Sequence, residues 1–141
     1  MIPETDLKSL RVLHGALVLG CAFAFIVPAF VLPVTHPGLP LFTGTYEMPG
    51  VVALALLPLA FVLFNRSIAD VRTKTGKAQH EALRAALIMH WAVIEAAALI
   101  NAAFCFLEGG TANYFAGAIA VVALAIRAPT RTRVDQWCIG N

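Results

Sequence analysis

Residues 87–110, LIMHWAVIEAAALINAAFCFLEGG, decide how the rest of the chain is interpreted. The stretch is apolar and long enough to span a membrane, yet Glu95 lies near its middle. At about 1.5 Å per residue, a helix of about 20 residues crosses the hydrocarbon core of a bilayer. The stretch therefore predicts a transmembrane helix that contains a carboxyl group.

The composition of the whole chain agrees with a membrane protein. Of its 141 residues, 60% are hydrophobic and 13% are charged, whereas soluble domains have roughly 45–50% apolar and 25% charged residues. The net charge of +2 comes from dispersed basic residues, which argues against nucleic-acid binding, since several phosphates must be neutralised together. The three cysteines have no metal-ligand spacing and are expected to be free thiols. We predict one integral membrane domain over residues 1–141, with no bound cofactor.

Apolar runs separated by charged segments predict an all-α, integral membrane four-helix bundle. The predicted helices cover residues 10–34, 48–66, 80–107 and 110–127. The second and the fourth are near the lower length limit for a span. We expect the first to be retained rather than cleaved, because its apolar run is longer than the roughly 7–15 residues of a signal-peptide core. The polar segment between the second and third helices is expected to continue as a helical hairpin beyond the bilayer.

The basic residues predict the orientation of the chain. All ten Lys and Arg residues lie before the first helix, around the second loop or after the fourth helix. With four spans these three places lie on one side of the membrane, and excess Lys and Arg favours the cytoplasmic side. We therefore predict a multi-pass protein of the bacterial inner membrane with both termini in the cytoplasm.

Glu95 is the candidate ion- or proton-binding residue. It lies 11 residues beyond Arg84, about 16 Å along the helix and close to the predicted midplane. An ionised carboxylate there costs at least about 2.5 kcal/mol without a partner, and no Lys or Arg is predicted at that depth. We expect Glu95 to be mostly protonated. Two interpretations stay open: a proton or cation site, and a neutral acid in an interhelical hydrogen bond.

Other polar residues in the predicted spans could support such a site. On a helical projection, Glu95 shares a stripe with Trp91, whereas His90 and Asn101 form a second stripe about 140° away. His14 on the first helix and His90 lie near the cytoplasmic boundary and could meet. Two histidines can ligate a haem or metal, but interfacial histidines that satisfy local hydrogen bonds are the favoured interpretation. Neither a metal site nor a soluble-type catalytic motif is predicted.

Small residues at four-residue spacing predict close helix packing. Ala16, Gly20 and Ala24 form such a face on the first helix, and the fourth helix repeats the pattern with Ala116, Ala120 and Ala123. Small residues let helix backbones approach closely in lipid. We expect both faces to lie in helix contacts.

Two resemblances to known families follow from these motifs. The hairpin over roughly residues 50 to 107, with WAVIEAAALIN as its second helix, resembles the c subunit of rotary ATP synthases, and this implies that Glu95 corresponds to the proton-carrying carboxylate. The glycine repeat of that family's first helix is replaced here by GVVALALLPLAFVLF. The whole chain, with LIMHWAVIEAAALIN and RAPTRTRVDQW, resembles small uncharacterised four-span bacterial membrane proteins, which implies the fold and the location but no activity.

The function expected from the sequence is non-enzymatic. The leading hypothesis is a structural or accessory protein that packs with itself or with a larger membrane complex. The remaining apolar surface is expected to contact the lipid bilayer. The second is a c-like subunit that translocates protons or cations through Glu95. A third is a haem-binding redox subunit that uses His14 and His90.

Overall fold

A computed structural model describes residues 3–31, 50, 52–108 and 111–139. It is 90% helical and confirms the all-α class. The described residues form five helices and no strand: α1 (Glu4–Val31), α2 (Leu56–Arg72), α3 (Gly76–Glu108), α4 (Thr111–Ala125) and α5 (Arg131–Ile139).

Two of these helices are long and apolar enough to cross a membrane. They are α1 and α3, whose most apolar windows have mean hydropathies of 2.1 and 1.6. The helix α4 has only 15 residues and α2 has 17, which agrees with the prediction that these two elements are short.

The helix boundaries differ from the predicted ones mainly on the polar side. The first helix begins at Glu4 instead of residue 10, and the second ends at Arg72 instead of residue 66. The third begins at Gly76 instead of residue 80. The polar residues between the two apolar runs are therefore helical as far as Arg72 and again from Gly76. They form the helical hairpin that the sequence predicts. The predicted ends at residues 32–34, and the predicted start at 48–49, lie outside the described residues.

The second helix also begins later than predicted. Residues 50, 52 and 53 are helical, but a turn at 54–55 separates them from Leu56. The turn is closed by hydrogen bonds from the Ala55 and Leu57 amides to the carbonyls of Val52 and Leu54. Between α2 and α3, residues 73–75 form a short connection, and Gly76 follows with a φ of +58°. Glycine adopts this left-handed conformation without the steric cost that a side chain would impose.

The helix α3 occupies the centre of the fold and contacts α1, α2 and α4. Parts of both predicted stripes are therefore buried: Trp91 and Ala98 on one, His90, Ile94 and Asn101 on the other. Glu95, on the first stripe, is partly exposed, and 44% of the apolar window of α3 is buried inside the fold.

The charged parts of the chain meet at one end of the helices. Glu4 at the start of α1 pairs with Arg131 at the start of α5, with 3.6 Å between Oε2 and Nη1. The Arg72 side chain at the end of α2 donates a hydrogen bond to the carbonyl of Trp137. The two described ends and the α2–α3 connection thus lie together. We refer to this region as the charged end.

The helix α5 was not predicted from the sequence. Thr130 caps its start, since the Thr130 Oγ1 accepts a hydrogen bond from the Arg133 amide at 3.4 Å. The helix docks on the charged end through Val134, which is fully buried, and through Trp137, whose ring lies 5.3 Å edge-on from that of Phe64. Gln79 donates a hydrogen bond to the Cys138 carbonyl at its other end.

The docking of α5 predicts slow labelling of Cys138. Burial raises the pKa of the Cys138 thiol, so the reactive thiolate is scarcer at a given pH than in an exposed cysteine. At pH 8 we expect maleimide to modify Cys138 more slowly than a cysteine in an unfolded peptide. Trp137→Ala should release α5 and speed the reaction, whereas Lys77→Ala, at an exposed position, should not. Equal rates in all three proteins would contradict this docking.

Candidate functional site around Glu95

Glu95 lies near the middle of α3, on the side that faces α1. It is 13 residues before the end of the helix at Glu108, about 20 Å along the axis. Its side chain is partly exposed and is close enough to the buried Cys21 of α1 to interact with it electrostatically. No ion pair or hydrogen bond to Glu95 occurs within the described part of the chain. The carboxyl group is thus a partly accessible polar group at an apolar helix contact.

The residue that precedes Glu95 by one helical turn is fully buried. Trp91 packs its ring against that of His14, with 5.0 Å between the centroids. Its indole Nε1 is buried and has no hydrogen-bond partner among the described residues. The Trp91–His14 contact joins α3 to α1, between Glu95 and the charged end.

His14 binds the backbone of the fourth helix. Its Nε2 lies 2.8 Å from the carbonyl oxygen of Leu124, and because a carbonyl can only accept, Nε2 must carry the proton. The Leu124 carbonyl is in the last turn of α4, where carbonyl groups have no partner within the helix, and it also accepts a hydrogen bond from the Arg127 amide at 3.1 Å. His14 therefore adds a second hydrogen bond at this helix end.

His90 makes an equivalent bond to a different helix. Its Nδ1 donates to the carbonyl of Ala60 in α2 at 3.1 Å, and its ring lies 4.6 Å from that of Phe64. Its Nε2 is buried without a partner in the described ranges. The structure thus places His14 and His90 in separate hydrogen bonds to backbone carbonyls, which is the favoured sequence-based interpretation. Among the described residues, no group of three His, Cys, Asp or Glu side chains could hold a metal ion.

A second polar cluster lies at the opposite end of α3. Asn101 is fully buried and donates from Nδ2 to the carbonyl of Ala97 at 2.8 Å. Asn113 of α4 is also fully buried, and both of its side-chain polar atoms lack partners within the part of the chain that the structure describes. A Cβ atom at Gly50 would lie 1.8 Å from Asn113 Oδ1 and 2.6 Å from Asn101 Oδ1. Gly50 therefore allows the backbone to approach two buried amides.

Asn113 is a buried polar residue that was not predicted from the sequence. The sequence feature that could have indicated it is an uncharged amide within an apolar helix, TANYFAGAIAVVALA. Asn101 was singled out on the same feature in its own helix. Asn101 and Asn113 are 12 residues apart, on the two sides of the α3–α4 connection, whereas the approach of Gly50 could not be read from spacing, since it comes from a distant part of the chain.

The two predicted small-residue faces behave differently. On α4, Ala116 and Ala120 are buried, and a Cβ at the neighbouring Gly117 would lie 2.0 Å from Phe25 Cζ of α1. This face is a close helix contact, as predicted.

On α1, the predicted face is turned away from the described helices at Ala16 and Gly20, whereas Ala24 is partly buried. Ala16 and Gly20 are exposed, and a Cβ at Gly20 would meet no described atom within 4 Å. The physical reason is the rotation of α1 about its axis, since Cys21 and Phe25 face α3 and α4 instead. Contact between this face and a second copy stays a prediction.

Comparison with known proteins finds no relative of this chain. It matches no protein-family model, no curated protein and no solved structure.

Proposed function

We propose that the chain is a multi-pass inner-membrane protein with four spans and both termini in the cytoplasm. Its exposed apolar surface is the observation that carries the proposal. In the apolar window of α1 only 17% of the residues are buried inside the fold. Its exposed side chains include Val12, Leu19, Phe23, Ile26 and Phe30. Surface of this kind along a whole helix is disfavoured in water and stable in lipid.

The two shorter helices fit this proposal when their flanking turns are included. The segment from residue 50 to Arg66 has 17 residues, which is about 26 Å at the rise of an α-helix. The helix α4 with its following turn, residues 111–127, also has 17 residues. A short span is accommodated by local thinning of the bilayer or by flanking basic side chains that reach the interface. Arg66 and Arg127 are suitably placed for this role.

A topological experiment tests the membrane arrangement. Reporter fusions after Asn141, or within residues 72–78, should report a cytoplasmic location, whereas fusions within residues 36–46 should report the opposite side. A reporter that is active only in the cytoplasm should work in the first two fusions, and a reporter that is active only in the periplasm should work in the third. A cytoplasmic signal from the fusions within residues 36–46 contradicts the four-span arrangement.

Within that arrangement, the function we propose is that of a non-enzymatic structural or accessory subunit. It packs with itself or with a larger membrane complex, and Glu95 is a proton-binding group at its α1–α3 contact. The exposed Ala16–Gly20 surface supports self-association or assembly, because small residues let another helix approach closely in lipid.

A proton- or cation-translocating subunit is the second candidate, favoured by the partly exposed Glu95. A structural acid is usually satisfied by a hydrogen bond, yet Glu95 has none within the described part of the chain. A transported proton needs such an accessible carboxyl group, since it must be taken up and released.

Carbodiimide labelling separates these two functions. Dicyclohexylcarbodiimide reacts with a protonated carboxyl group that is accessible from lipid. If Glu95 translocates protons, it should be modified at neutral pH, and Glu95→Gln should fold normally but abolish labelling and transport. If Glu95 is structural, the wild-type protein should be protected, and Glu95→Gln should leave assembly intact. Glu81→Gln, on the charged end, is the matched control and should change neither result.

A further inference from the structure

A groove lies between α2 and α3 at the charged end. It encloses about 450 Å³ and opens to the outside of the helix bundle. Its polar wall is formed by Arg66, Ser67, Asp70 and Lys74, and its apolar wall by three alanines and Met89 of α3. The groove is therefore amphipathic, with its charged groups toward one end of α2 and its apolar surface on α3.

The polar wall carries one positive charge in excess. Lys74 pairs with Asp70, with 2.5 Å between Nζ and Oδ2, so these two charges offset each other. Arg66 forms no ion pair within the described residues. A guanidinium group presents several N–H donors in a planar fork that matches the oxygens of a phosphate. The groove is thus suited to a ligand that carries a single negative charge.

The apolar wall continues into surface that the proposed membrane placement puts in lipid. Met89 is 46% exposed, and Leu59 and Val62 of α2 are about half exposed. These two residues precede Arg66 by seven and four positions, so they share its face of the helix. Alanine side chains on α3 leave room beside them for a chain of methylene groups. A ligand that fills the whole groove therefore joins a phosphate to a long apolar chain.

We propose that this groove binds one phospholipid with an anionic headgroup, such as phosphatidylglycerol. Arg66 contacts its phosphate, Asp70, which stays paired with Lys74, accepts a hydrogen bond from a headgroup hydroxyl, and one acyl chain lies along Ala85 and Met89. Basic residues at the cytoplasmic membrane surface attract anionic lipids. The inference rests on the proposed membrane placement, because only there does the apolar wall meet acyl chains.

Native mass spectrometry of the full chain in mild detergent tests the proposal. Phosphatidylglycerol and phosphatidylethanolamine with identical acyl chains are added separately at equal concentration. We expect one phosphatidylglycerol to be retained per chain, at least about fivefold more tightly than phosphatidylethanolamine, which corresponds to about 1 kcal/mol for one basic residue. Arg66→Gln should abolish this preference. Arg84→Gln is the matched control, an arginine on α3 that does not line the groove, and should retain it.

A second variant removes space instead of charge. Ala85 is exposed, so Ala85→Trp should fold and should reduce lipid retention by filling the groove. Soluble glycerophosphoglycerol, which has the headgroup alone, should bind much more weakly than the intact lipid. Equal retention of both lipids, equal losses in Arg66→Gln and Arg84→Gln, or tight binding of the soluble headgroup would each overturn the proposal.

The membrane placement is tested separately, on the isolated membranes before detergent is added. If the protein is released from membranes by an alkaline carbonate wash, the proposed function fails along with this inference. If the protein stays in the membrane and shows no preference for phosphatidylglycerol, only the lipid-binding inference fails.

Discussion

Replacing Trp91 by alanine should strongly destabilise the protein. Trp91 is fully buried at the point where α3 meets His14 of α1. Removing a buried Trp or Phe side chain leaves a cavity and costs about 3–5 kcal/mol. We expect a large fall in the unfolding temperature of Trp91→Ala in detergent, followed through the helical circular dichroism signal.

A conservative substitution at the same position separates packing from hydrogen bonding. Trp91→Phe keeps an aromatic ring against His14 but removes the indole N–H group. Because Trp91 Nε1 has no hydrogen-bond partner in the described segments, its removal leaves no acceptor there unsatisfied. We expect Trp91→Phe to cost clearly less than Trp91→Ala. Equal losses in the two variants would mean that the N–H group, and not the ring, stabilises this contact.

Gly117→Ala is the second change with a large expected effect. The added Cβ would lie 2.0 Å from Phe25 Cζ and 2.2 Å from Phe25 Cε1, so the ring must move away from its position beside Tyr114. Forcing extra atoms into a packed contact costs roughly 1–3 kcal/mol, and the better helix propensity of alanine offsets about 1 kcal/mol of this loss. We expect a lower unfolding temperature and a weakened contact between α1 and α4.

Gly20→Ala is the matched control for this variant. Both glycines are inside helices, so the substitution changes helix propensity by a similar amount at both sites, about 1 kcal/mol in favour of alanine. A Cβ at Gly20 meets no described atom within 4 Å, so Gly20→Ala should not destabilise the fold. If both variants lose stability equally, α1 does not have the rotation that turns Cys21 and Phe25 toward α3 and α4.

Gly20 also offers a way to detect assembly. A larger residue at this exposed position leaves the fold of the single chain unchanged but would obstruct another helix that packs on Ala16 and Gly20. Loss of crosslinked oligomers in Gly20→Leu, with an unchanged unfolding temperature, would identify this face as the contact between copies. Unchanged crosslinking would place the contact elsewhere.

Several features were predictable from the sequence because they depend on local composition. The helical class, the long central helix around Glu95 and the short second and fourth helices follow from the length of apolar runs. The grouping of the basic residues at one end follows from their positions between those runs. Each of these properties depends on residues that are close together in the sequence, so the rest of the fold is not needed to predict it.

Other features were decided only by tertiary structure, since they depend on the rotation of each helix about its axis. Small residues on α1 and on α4 have the same spacing, yet only the α4 face is buried, because Cys21 and Phe25 turn α1 the other way. The carbonyl partners of His14 and His90 lie 110 and 30 residues away in sequence. Gly50 approaches Asn101 and Asn113 through a contact between three separate segments. Helical periodicity defines which residues share a face, but only packing against the other helices determines what that face meets.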